Sequence, residues 1–229
     1  VQGVNLDFKG ALNTAELMPD TYLQAIAKHY IAVAMADHGD ISGALAVVPS
    51  IPVHCEDSQG KALAGIAAAQ ARAGDMAGAW KTIQRMDGML LSNRNWAYTE
   101  VAIEKLWAGD EESARQIVLA RLQAPELSDK GNCAACCADC DPLDRALEEI
   151  ARYQLGNGNF QGAVETSSHR DFVSRGEAFR VIAAQQILGR PEQEVLSWID
   201  KEANPYSRSC ALLGLAQGLV IKDLRQRMQ

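Results

Sequence analysis

The chain has 229 residues, 48% of them hydrophobic but only 6% aromatic, and a net charge of −7. That acidity argues against a nucleic-acid backbone as the main partner, and no run of about 18 apolar residues offers a membrane-spanning helix. Alanine supplies much of the apolar content, which suits thin helix-on-helix packing rather than a thick aromatic core. The sequence opens Val1-Gln2-Gly3, without methionine. A removed leader would place the protein in the periplasm or outside the cell; a trimmed chain leaves the compartment open, the cytoplasm included.

Leu6, Phe8, Leu12 and Leu17 predict one short helix within residues 1–19, packing on the first helical pair as an N-terminal cap. From Asp20 to about Pro52 the pattern is two helices, the first holding His29 and Tyr30. A lone histidine there reads as a packing or surface residue rather than a ligand. His54 and Cys55 come next, side by side; two ligand types with no gap between them are a weak metal signal. A second helical pair, with Asp57 as its cap, runs to about Leu91. A third starts at Ser92 and contains Trp96, Tyr98 and Trp107. Trp96 and Trp107 are 11 residues apart, three helical turns, and share a face. After Pro125 comes an insertion, about 126–141, which Asp141-Pro142 closes with a cap and a first-turn proline. A fourth pair succeeds it, then a weaker fifth in which Gly189-Arg190-Pro191 shifts the turn and Val195 replaces the packing alanine. A last helix from about Tyr206 turns polar at Lys222, as a terminal cap should.

These pairs share a pattern. Ala67, Gly74 and Ala79 recur as Ala32, Gly39, Ala44, as Ala102, Gly109, Ala114, and as Ala151, Gly158, Ala163. The glycines are spaced 35, 35 and 49 residues apart, the last gap being one period plus 14. A fixed period of this size marks stacked units, because one unit cannot bury its apolar face alone. The alanines let helices approach closely. The glycines end each first helix in a left-handed backbone conformation, and Asp40, Asp75, Asp110 and Asn159 cap the second. Ile31, Ile66, Val101, Ile150, Ile182 and Leu215 supply the buried stripe of the first helices.

This arrangement resembles tetratricopeptide repeats over roughly residues 21–226: the small residue in the first helix is Ala67, the turn Gly74-Asp75, the alanine of the second helix Ala79. The family's late aromatic is here Met35, Gln70, Lys105, Gln154 and Gln186, and its closing proline is mostly missing. The resemblance implies an all-α fold, a right-handed α-α superhelix of about five hairpins and a C-terminal capping helix, forming a single domain over residues 20–229. It also implies a concave groove lined by Lys61, Trp96, Ile103, Trp107, Arg145, Arg152 and Arg180. Four of these seven are basic, so the expected partner is a protein or peptide segment that is acidic or ends in a carboxylate. The asparagines of the family's two-pronged carboxylate grip are absent.

Cys133, Cys136, Cys137 and Cys140 fall within eight residues of the insertion. Three readings stand: disulfides such as 133–137 or 136–140 in an oxidising compartment; thiolates holding zinc, copper(I) or an iron–sulfur cluster in a reducing one; or free thiols. The spacing Cys133-x3-Cys137-x2-Cys140 matches that of radical S-adenosylmethionine enzymes, but the chain offers no strands for their barrel. Cys55 and Cys210 lie in distant units and are not expected to pair. With no Ser/His/Asp arrangement, no phosphate loop and histidines scattered at 29, 38, 54 and 169, the sequence reads as a non-catalytic interaction scaffold without a cofactor. The alternative is a metal- or redox-handling protein using Cys133–Cys140.

Overall fold

A computed structural model describes residues 6–124 and 142–228, apart from the side chains of Val53 and Phe172. They form twelve α-helices, and no strand occurs among them. The chain divides into two compact units, residues 1–121 and 122–229, just before the insertion that interrupts the 35-residue period. The sequence pattern alone implies one continuous domain from residue 20.

The first unit comprises α1 (Phe8–Glu16), α2 (Thr21–Asp37), α3 (Ile41–Val47), α4 (Glu56–Arg72), α5 (Met76–Gln84), α6 (Leu91–Trp107) and α7, which starts at Glu111 and ends at Leu122. α3 folds back on α2 and α5 on α4, while the first helices α2, α4 and α6 pack on one another in sequence. α1 lies on α2, with Phe8 and Leu12 against the core; Leu17 falls beyond its end and is exposed. In the second unit, α8 (Pro142–Gly156) pairs with α9 (Phe160–Ser168). α10 (Phe172–Gly189) contacts α9, α11 (Glu192–Ile199) and, along its length, α12 (Pro205–Arg227).

The hairpin turns show why the sequence folds this way. Gly39, Gly74, Gly109 and Gly158 have φ of +88°, +85°, +82° and +75°, a region costly for any residue with a Cβ. The next residue then does two jobs. Its N–H closes the first helix, from Asp40, Asp75, Asp110 and Asn159 to the carbonyls of Met35, Gln70, Lys105 and Gln154 at 2.8–2.9 Å. Its side chain opens the second helix, accepting from the N–H of Gly43 and Gly78 at 2.8 Å, Gly162 at 3.0 Å and Ser113 at 3.2 Å. A Cβ at Gly43 or Gly78 would stand 2.1 Å from the capping carboxylate, so this second glycine, which the three-point pattern leaves out, belongs to the same device. The fifth turn lacks it: Arg190 is extended and Gly189 is not left-handed.

All eight alanines of the repeat are buried, as are Ile66, Val101, Ile150, Ile182 and Leu215; Ile31 is half-buried. Each fully buried Ile contributes on the order of 2–3 kcal/mol. At the position of the family's late aromatic, two of the polar residues tie hairpin arms together. Gln70 Oε1 accepts from Thr82 Oγ1 at 2.6 Å, both buried, and Gln186 Oε1 accepts from Trp198 Nε1 at 2.7 Å.

Neighbouring first helices are tied at both ends of α4. Leu90 N–H donates to Glu56 Oε1 at 2.5 Å. Arg72 reaches Asp37 on α2 at 3.0 Å and Glu104 on α6 at 2.9 and 2.5 Å. The hydrogen bond to Glu104 raises the Arg72 pKa further, outweighing burial. In the second unit the contact between α10 and α12 is one of backbones. A Cβ at Gly214 would lie 2.0 Å from the Arg180 carbonyl oxygen, and one at Gly218 would lie 2.6 Å from that of Ala184. The terminal-cap expectation needs correction here: α12 does carry charges after Lys222, but Leu213, Val220 and Leu224 leave its free side apolar.

Candidate functional site

In the first unit the free faces of α2, α4 and α6 carry large aromatic side chains. Tyr22 and Tyr30 of α2 are exposed, and Trp107 of α6 is 71% exposed. Between them α4 presents Lys61 and Arg72, both at the surface. Trp96 is half-buried and packs against the core. Ile103 does not join this surface: it is 2% exposed, as Ala68, its counterpart one period earlier, is 4% exposed. That column of the repeat faces the packing between helices rather than the groove. His29 stacks on Tyr30, ring centroids 4.5 Å apart. Burial lowers its pKa first, then Lys61, against an opposing pull from Asp57. Lys61 Nζ itself lies 2.6 Å from Asp57 Oδ2. His29, Tyr30, Asp57 and Lys61 thus gather on two adjacent helices, although only Lys61 stands out from sequence. Tyr22 and Tyr30, eight residues apart on one helix, were the available signal.

The second unit holds a cavity of about 330 Å³. Ala151 and Leu155 of α8 and Ala178, Val181 and Ile182 of α10 form its apolar walls. Glu148, Arg152, Ser174 and Glu177 contribute polar groups, and Ser167 and Arg170, from the end of α9 and the turn after it, complete the lining. Ser167 is fully buried, and its Oγ has no hydrogen-bond partner among the described residues. Arg170 is held by Asp144, Nε to Oδ1 at 2.8 Å and Nη2 to Oδ2 at 2.7 Å, and by Glu148 at 3.3 Å. Burial would lower its pKa, but the hydrogen bond and charge of Asp144 and the charge of Glu148 raise it further. The residue is a fixed cation with its charge already answered.

Of the remaining sequence-selected residues, Arg152 is exposed and bonds Glu148 at 2.5 Å. Arg180 is half-buried between Glu177, at 3.0 Å, and Gln217, at 3.2 Å. Arg145 is exposed near the start of α8. Lys61, Arg152 and Arg180 each carry a carboxylate one helical turn earlier, so the basic face is electrically balanced rather than open to an anion.

The Cys133, Cys136, Cys137 and Cys140 cluster lies outside the described residues. Cys55 is a buried free thiol and Cys210 a half-buried one; His54 is exposed, so the adjacent pair divides between surface and core. Among the described residues no three His, Cys, Asp or Glu side chains gather as a metal-holding group. No described helix is long and apolar enough to cross a membrane. No protein-family model, curated protein or solved structure matches the chain.

Proposed function

We propose that the chain is a non-catalytic interaction scaffold whose hairpins are tetratricopeptide-like units of a right-handed superhelix. It takes a partner protein or peptide on the free faces of its first helices. The observation that carries this reading is the cavity between α8 and α10. Its size suits an anchoring side chain, its walls are apolar, and the Ser167 hydroxyl offers an unused hydrogen-bonding group. The partner segment therefore contributes an apolar anchor. Because the nearby cations are already paired, acidity of the partner adds little, and binding is only weakly sensitive to salt.

The test begins with native co-purification and mass spectrometry, then calorimetric titration of the recovered partner. Ala178→Phe, which fills the cavity from a half-buried position, should weaken binding at least about tenfold at unchanged helicity. Unchanged affinity in that variant would rule out the cavity as the docking site.

A further inference from the structure

α12 rests one side on α10 and leaves the other to water. Ser207, Ala211, Gly214 and Gly218 are buried on the packed side, where Lys222 Nζ also donates to the Ile187 carbonyl at 3.0 Å. Two residues beyond Ala211, Gly218 and Lys222, about 200° around the helix, stand Leu213, Val220 and Leu224. They are 53%, 61% and 53% exposed. With Gln217 they form a stripe spaced four, three and four residues, the spacing of a coiled-coil seam. Leu212 and Ile221 widen it. None of this surface is needed to hold α12 on α10, and a contiguous apolar row of this length marks an interaction surface.

The geometry points to a second copy of this chain, its α12 laid antiparallel along the same stripe. A spacing of four, three and four reads the same in either direction. Leu213 therefore meets the second copy's Leu224, and Gln217 meets its Val220; symmetry repeats both layers. Ala216 faces the second copy's Ile221 beside them. Gln217 keeps its hydrogen bond to Arg180, so no amide is buried without a partner. Charge sets the direction. Antiparallel pairing puts Lys222 opposite Leu215, Asp223 opposite Gly214 and Arg225 opposite Leu212, and no like charges meet. Parallel pairing would set Lys222, Arg225 and Arg227 each against itself, which is unfavourable. The antiparallel contact is isologous and closes as a two-fold dimer.

Sedimentation of the full chain over a concentration series tests this, with circular dichroism to confirm that each variant folds. The native chain should show a reversible monomer–dimer equilibrium. Leu213→Lys and Leu224→Glu should each weaken it at least about tenfold. An equimolar mixture of the two variants should restore association, because the lysine at 213 of one copy then faces the glutamate at 224 of the other. A native chain that stays monomeric throughout, or a mixture no tighter than either variant alone, overturns the proposal. So does a monomer that instead uses this face to bind vesicles of anionic lipid.

Discussion

In residues 1–121 the first helices meet through side chains and are tied by ion pairs; in residues 122–229 α10 and α12 meet backbone to backbone. The charges differ as well: residues 6–124 hold 14 acidic and 10 basic side chains, whereas residues 142–228 hold 11 of each. The first unit keeps the strict 35-residue period and spreads its helix contacts over alanines, a buried Gln–Thr bond and the Arg72 bridge. The second loses the period after α9, and its cavity lies beside α10, the first helix of the shifted hairpin. Shared contacts tolerate the loss of one member. A contact built on missing Cβ atoms does not tolerate their return.

The largest expected effect comes from that difference. Gly214→Val places carbon on the Arg180 carbonyl, which belongs to backbone and cannot swing aside. The cost should be about 3 kcal/mol, and hydrogen exchange should quicken in α10 and α12 but not in α2, α4 and α6. Gly65→Ala is the contrast in the first unit. There the new methyl meets a side chain, Val33 Cγ2 at 2.5 Å, and the cost should stay below about 1 kcal/mol. Equal losses in urea titrations of the two variants would erase the distinction between the units.

Next comes the bridge. Arg72→Ala leaves the Glu104 carboxylate, 7% exposed, without its two strongest hydrogen bonds. A loss of about 2 kcal/mol is expected at neutral pH. Arg72→Met with Glu104→Leu should recover most of it, because an apolar pair leaves no buried charge unanswered. If the double variant is as unstable as the single one, the bridge orients the helices in a way that packing cannot replace.

A smaller effect, about 1 kcal/mol, is expected for Thr82→Val, which takes the donor from the buried Gln70 Oε1. A double-mutant cycle with Gln70→Met should show coupling between the two positions. Additive losses in thermal melts would mean that the bond contributes nothing beyond shape.

Much of the local structure was legible because it depends on neighbours in sequence. Gly39, Gly74, Gly109 and Gly158, their capping residues and the buried alanines are all dictated by a turn and two helical periods. The glycines at 43, 78 and 162 share that period and were readable on the same grounds. Gly214 and Gly218 were not, since their need for no side chain arises from α10, more than thirty residues earlier. At the candidate site, periodicity put Lys61, Trp107, Arg145 and Arg152 on the surface. It misplaced Ile103, because residues of that column enter the seam between helices unless, like Arg152, they are long enough to reach out. The pairing of Lys61 with Asp57 and of Arg152 with Glu148 was visible as i, i+4 spacing and limits the case for an acidic partner. The cavity was not visible at all, since it depends on the relative placement of α8 and α10.

The smallest effect tests whether the first unit's aromatic face also responds to pH. His29 is half-buried on α2, stacked on Tyr30 and facing Asp57 and Lys61 of α4. Burial and then Lys61 depress its pKa below 6.5, and Asp57 opposes them only in part. A depressed imidazole favours the neutral ring in the folded state. Its contribution is therefore complete above 6.5 and is lost as the pH falls from that value through the lower folded one. Because the ring is partly exposed, solvent screening keeps the change below about 0.5 kcal/mol. Urea titrations should show a stability loss between neutral and mildly acidic pH that shrinks in His29→Gln. The same loss in that variant would move the pH response away from this stacked pair and on to another group, and would leave the aromatic face of α2 a packing surface that pH does not touch.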